Sequence, residues 1–162
     1  MTQRELLARS EDETMGFGQA LGRAAAELCS SDAGASVFVA LVGPLGAGKT
    51  LFARGVVRGI DELAAEEVRS PTFAIVDEHP TDPPVYHLDL YRLSGLHDLD
   101  GIGYREIYEA PGVVLVEWAD RVPEAMPRER IEVVISPDGD LRRFEIEGRG
   151  ARARSVVERA WT

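Results

Sequence analysis

The sequence predicts an α/β fold: a three-layer domain on a mixed, mostly parallel central sheet, closed by a C-terminal hairpin. Three observations carry this. The runs "SVFVALVG" and "VVLVEW" are short, almost wholly apolar and rich in β-branched residues, the pattern of strands buried on both faces. Segments of helical periodicity lie before, between and after such runs, and strands alternating with helices build a layered sheet. Near the end, "IEVVIS" and "LRRFEIE" flank the turn "PDGD", which makes an antiparallel hairpin and therefore a mixed sheet. At 162 residues the chain is expected to be one domain, 1–162, large enough for a single sizeable core.

Taken in order, Ser10 and Glu13 stand at capping-box spacing. Phe17, Leu21, Ala24, Ala25 and Leu28 follow at helical period, so a first helix is expected to about residue 28. "SVFVALVG" is the first strand. A glycine-rich loop follows, then a helix from 49 to about 57 with Gly59 near its stop. "TFAIVDE" and "VYHLDLYR" read as strands separated by the proline-rich turn "HPTDPP". "LSGLHDLDGIGYREIYEAPG" reads as short helical turns, "VVLVEW" as a buried strand ending in an acid, and "ARARSVVERAW" as a closing helix after the hairpin.

Composition excludes several classes of function. No apolar run approaches the length of a membrane span, and "MTQRELLARSEDE" lacks the apolar core of a signal peptide. Cys29 is the only cysteine, so no internal disulfide can form; a cytoplasmic protein, monomeric and without a membrane partner, is the expectation. A formal charge of −10 argues against tight unaided binding of nucleic acid, which needs clustered cations. The segment 142–162 is the exception, with Arg142, Arg143, Arg149, Arg152, Arg154 and Arg159. It reads either as a solvated helix surface or as a patch for a partner or RNA.

Of the 18 basic residues, 17 are arginine and one is lysine, and that lysine lies in "GPLGAGKT", residues 43–50. The segment fits G-x-x-x-x-G-K-[ST] at every fixed position, with a buried strand before it and a helix after it. The chemistry explains the pattern. Gly43, Gly46 and Gly48 let successive backbone N–H groups point inward at phosphate oxygens. The helix that starts at Lys49 presents its free N–H groups and positive dipole end to the same anion. Lys49 puts a compact ammonium on a flexible stem, able to reach between β- and γ-phosphates, where the bulkier planar guanidinium fits less well. The Thr50 hydroxyl can ligate Mg²⁺. The sequence therefore predicts a P-loop NTPase-like domain.

Such a site needs a carboxylate at the end of a neighbouring buried strand. Glu117, after "VVLV", is the better metal candidate. Asp89, in "YHLDL", shares a strand face with His87 and Tyr91 and can orient the attacking water or hold a water on the metal. In "RSPTF", Thr72 and Ser70 are candidates for a γ-phosphate sensor. His79, His87 and His97 are scattered without metal-ligand spacing. The sequence has no asparagine and no second lysine, so a guanine-specifying Asn-Lys-x-Asp element is absent and ATP is the expected nucleotide. A small-molecule kinase is the alternative, although no segment reads as an arginine-bearing lid.

"GPLGAGKT", "VRSPTF", "VYHLDLYRL" and "VLVEW", in that order and spacing and with "ETMGFGQALG" before them, resemble the bacterial TsaE (YjeE) family of tRNA threonylcarbamoyladenosine biosynthesis ATPases. The resemblance implies phosphate binding by Gly46, Ala47, Gly48, Lys49 and Thr50, Mg²⁺ at Thr50 and Glu117, a part in hydrolysis for Asp89 and a switch role for Thr72. It also implies that the first helix, around Asp12 to Thr14, lies against the adenine, and that Trp118 contacts a partner or supports Glu117. Family members often carry an acid where this chain has Pro44; that side chain should face away from phosphate. Such proteins do not transfer the threonylcarbamoyl group themselves. They join the partners TsaB and TsaD, with ATP binding or hydrolysis assembling or resetting the complex, so contact with tRNA would be mainly indirect. Slow ATPase activity alone is expected, because no cis arginine finger or water-positioning glutamine is visible.

Overall fold

The computed structural model describes residues 2–69 and 76–162. Among these residues, seven strands form one sheet, and its middle explains the two apolar runs. Strands β2 (Ser36–Val42) and β5 (Gly112–Glu117) pair in parallel, from Ser36 opposite Gly112 to Leu41 opposite Glu117. Strand β4 (Val85–Asp89) joins β5, and β6 (Arg130–Asp138) joins β2, both in parallel. Antiparallel strands finish both sides: β3 (Val76–His79) on β4, then β7 (Leu141–Arg149) and β1 (Thr2–Ala8) beyond β6. The order is β1-β7-β6-β2-β5-β4-β3.

Helices α1 (Glu11–Ser31), α2 (Lys49–Ile60) and α5 (Ala151–Ala160) cover one face. Their core includes Leu21, Val39, Leu41, Phe52, Val56, Leu115, Ile135 and Phe144. The short helices α3 (Leu96–Asp100) and α4 (Tyr104–Glu109), with 3₁₀ turns around residues 119–125, cover the other face of β2, β5 and β4. Phe38, Ala40, Leu88, Val114, Val116, Leu99 and Val122 pack there. The predicted third layer stops at β2. On β6 the residues Ile131, Val133 and Ile135 are buried while Glu132, Val134 and Ser136 are only partly covered, so the β6-β7-β1 wing has helices on one face alone.

β1 was not expected from the sequence. "TQRELLA" interleaves charged residues with its few apolar ones, and it becomes a strand by pairing with β7 along its whole length. On the open face of this wing Arg143 pairs with Glu5 and Asp138, and Arg149 with Glu132 and Glu147; Arg152, on α5, pairs with Glu129. Arg143, Arg149 and Arg152 of the basic C-terminal segment are therefore paired within the chain.

One helix start differs from expectation. The Ser10 hydroxyl accepts from Glu13 N–H at 3.2 Å as a cap should, but the Glu13 carboxylate accepts from Arg9 N–H (2.6 Å). Helix α2 ends at Ile60, next to Gly59 as expected, and Gly59 is a packing residue as well. Gly18 and Gly22 on α1 face Gly55 and Gly59 on α2. A Cβ at Gly18 would run into the Phe52 carbonyl, at Gly22 into that of Val56, at Gly55 into that of Met15 and at Gly59 into that of Gln19. Glycine at i and i+4 on both helices brings the two backbones together and fixes the start of α1 beside the start of α2.

Candidate nucleotide site

Parallel pairing assembles the site. Because β2, β5 and β4 run the same way, their C-terminal ends lie along one edge of the sheet, where open α/β sheets bind ligands. The ends of β2, β5 and β4 deliver the glycine loop, Glu117 and Asp89, and Asp89 stands directly opposite Glu117. The loop then runs into α2 through Gly46 (φ +77°) and Gly48 (φ +108°), both in the left-handed region that glycine tolerates. Gly43 is tight for another reason: a Cβ there would meet the Ile135 carbonyl of β6.

Lys49 is buried, with 5% of its surface exposed, and its ammonium makes two hydrogen bonds and one ring contact. It donates to the carbonyls of Gly43 (2.6 Å) and Pro44 (2.9 Å) and lies 3.9 Å from the centre of the Trp118 ring. Burial lowers its pKa; the negative charges of Glu117, Asp89 and Asp120 oppose that shift. Trp118 reaches Lys49 from an αL backbone (φ 58°), the only non-glycine residue with positive φ among the described residues. A left-handed residue with a Cβ costs about 1–2 kcal/mol, and here it turns the chain sharply out of β5. Tyr91 packs on Trp118 at 4.8 Å, and the Arg121 guanidinium lies over the Tyr91 ring at 4.9 Å.

Glu117 is nearly inaccessible, at 2%. The Thr50 hydroxyl lies 2.9 Å from its Oε1 and 3.1 Å from its Oε2, so the two residues expected at a metal are in contact. Asp89, at the end of β4, accepts from the N–H of Tyr91 at 2.9 Å. Among the described residues no group of three or more His, Cys, Asp or Glu could hold a metal by itself. A hydroxyl beside a single buried carboxylate does fit Mg²⁺, a hard cation that prefers oxygen and fills its remaining positions with water and substrate phosphates. Two positive-φ glycines leading into a helix N-terminus fit phosphate.

Asp12 lies exposed in the first turn of α1, two residues before the buried Thr14, whose methyl approaches Gly48. The start of α1 thus borders the loop. Thr72 and Ser70 lie outside the described residues. One contact was missed from the sequence: His87, fully buried, places Nε2 2.6 Å from Glu117 Oε2. The two are thirty residues apart, and only the β4–β5 register reveals the pair. The signal available was that His87 shares a strand face with Asp89.

This geometry agrees with three comparisons. The pattern of the family described as "Threonylcarbamoyl adenosine biosynthesis protein TsaE" matches residues 8–144. The chain belongs to the TsaE family. Among relatives called tRNA threonylcarbamoyladenosine biosynthesis protein TsaE, that of Bacillus subtilis is 38% identical over 73% of this chain and 73% of its own. The Treponema pallidum TsaE is 35% identical over 78% of this chain and 87% of its own, and the Streptomyces coelicolor TsaE 35% identical over 82% and 90%. The crystal structure of Bacillus subtilis YdiB superimposes with a TM-score of 0.76 at 28% identity, covering 98% of this chain and 94% of that one. The predicted α/β sheet, parallel at its centre, and the predicted family are thus both found. Among the described residues no helix is long and apolar enough to cross a membrane.

Proposed function

We propose that this chain is a Mg²⁺-dependent P-loop ATPase that acts in tRNA threonylcarbamoyladenosine formation by assembling or resetting a complex of TsaB and TsaD. The observation that carries the reading is the cluster of Lys49, Thr50 and Glu117 at the ends of β2 and β5 in a chain of the TsaE family. Lys49 exchanges its bonds to the Gly43 and Pro44 carbonyls for oxygens of the β- and γ-phosphates, while the N–H groups of residues 46–50 bind the same anion. Thr50 and Glu117 would hold Mg²⁺, which when bound neutralises phosphate charge. Asp89 orients a water toward the γ-phosphorus and accepts its proton; the bond from that phosphorus to the β–γ bridging oxygen breaks and ADP leaves. Asp12 and its neighbours at the start of α1 border the adenine, and Thr72 senses the γ-phosphate. The chain acts as a cytoplasmic monomer outside the complex. Its net charge of −10 and the internal pairing of Arg143, Arg149 and Arg152 favour contact with tRNA mainly through the partners.

The test is phosphate release from ATP with Mg²⁺, by the chain alone and with the TsaB–TsaD pair. Slow release alone and a large rise on mixing are expected. ATP-dependent association without a change in rate would replace hydrolysis by binding as the working step. If neither changed and labelled γ-phosphate appeared on a small metabolite, the protein would be a kinase.

A further inference from the structure

We propose that His87 is a positioning residue that orients the Glu117 carboxylate toward Thr50 and a divalent cation. The inference rests on the proposed Mg²⁺ site at Thr50 and Glu117. A carboxylate offers only acceptors, so in the short 2.6 Å contact at Oε2 it is His87 that presents Nε2–H. Nδ1 has no hydrogen-bond partner among the described residues. The buried imidazole is therefore committed, through Nε2–H, to a single carboxylate oxygen. Strand register brings this about. His87 stands opposite Leu115 on β5, one diagonal step back from Glu117 on the same face, within reach of a long side chain leaning down the strand.

Without a donor at Oε2, the terminal torsion of a glutamate is broad and close to two-fold, and either oxygen could face Thr50. Thr50 cannot choose between them: it lies within 0.2 Å of equidistant from both, at 2.9 and 3.1 Å, and has one proton to give. The fixed N–H of His87 breaks that tie by occupying Oε2 and leaving Oε1 for the cation. Residues that hold a metal ligand from behind typically change metal affinity by about 10–100-fold when removed.

The test measures binding of a non-hydrolysable ATP analogue by calorimetry, in EDTA and in Mg²⁺, so the readout is the gain in affinity that Mg²⁺ confers and not turnover. Circular dichroism and thermal unfolding check each variant's fold. In the unsubstituted protein Mg²⁺ should tighten binding, and Glu117→Gln should remove most of that gain; no gain in the unsubstituted protein would sink the metal-site reading itself. His87→Leu should lose about 10–100-fold of the gain while keeping affinity in EDTA. His87→Gln, whose amide N–H can reach where Nε2 was, should restore it. His87→Asn, a buried amide too short to reach, should not, and the Gln–Asn contrast decides the matter if His87→Leu fails to fold. A normal Mg²⁺ gain in folded His87→Leu, or equal gains in the Gln and Asn variants, would overturn the positioning role and leave the metal site standing.

Discussion

Gly22→Ala is a demanding test of the packing that sets α1 beside the glycine loop. The new Cβ would collide with the carbonyl oxygen of Val56 and press on its Cα, all backbone atoms in the middle of α2 that cannot swing aside. Relief requires the helices to separate, a form of overpacking whose cost is typically about 1–3 kcal/mol; rigid backbone places this site near ~3. Alanine gains ~1 kcal/mol of helix propensity over glycine, so the net loss should be about 2 kcal/mol. Gly16, on the same helix with nothing within 4 Å of its would-be Cβ, is the control. Gly16→Ala receives the propensity without the clash and should gain up to about 1 kcal/mol. For a chain of this size ~1 kcal/mol moves Tm by about 3 °C, so the two variants should differ by about 9 °C in opposite directions from the parent. Urea titration should give the same order with unchanged slopes. Equal stabilities for the two variants would refute the close backbone contact. A gain in Gly22→Ala would show that the helices part at no cost.

Two other outcomes follow from the site and a third from a buried histidine on β3. Lys49→Ala should abolish nucleotide binding by calorimetry with the fold intact, and Lys49→Arg should fail as well, because a planar guanidinium cannot reproduce the compact ammonium held between two loop carbonyls and the Trp118 ring; normal affinity in either folded variant would refute the role. Asp89→Asn should lose hydrolysis by at least about 10²-fold, the scale of a positioned general base, while still binding ATP; undiminished turnover would remove Asp89 from the chemistry. His79 is buried with Nε2 unpartnered among the described residues, and burial, aided by His87, lowers its pKa. Its neutral form is thus favoured in the folded chain. The associated stability is present above the ordinary histidine pKa and is lost as pH falls through the lowered value. His79→Phe should flatten that acid-side loss in chemical denaturation, and an unchanged profile would mean that His79 does not contribute to it.

Much of the site was legible because its pattern is local. The fixed residues of "GPLGAGKT" are consecutive, each type answers to a backbone angle, a charge or a hydroxyl, and the apolar run before it signals a buried strand. Glu117 was legible for a similar reason, an acid closing four apolar residues. Residues whose meaning depends on their neighbours in space were not. Gly59 marks the end of α2 as a glycine near the end of a periodic segment usually does, but its contact with α1 is written in no local pattern. The strand 2–8 was hidden because an edge strand with one open face needs few apolar residues, and its partner lies some 140 positions away.

By itself, the sequence determined the α/β class, the glycine loop with its lone lysine, the acids that close the neighbouring strands, and the family. Periodicity, glycine spacing and residue chemistry act over a few positions and need no fold to be read. Only the tertiary structure decided which distant groups meet. Parallel register set Asp89 opposite Glu117 and brought His87 behind it, and a left-handed turn at Trp118 laid an indole over Lys49. Such pairings depend on strand order, and strand order follows from burying the whole core at once, a condition that no short stretch of sequence contains.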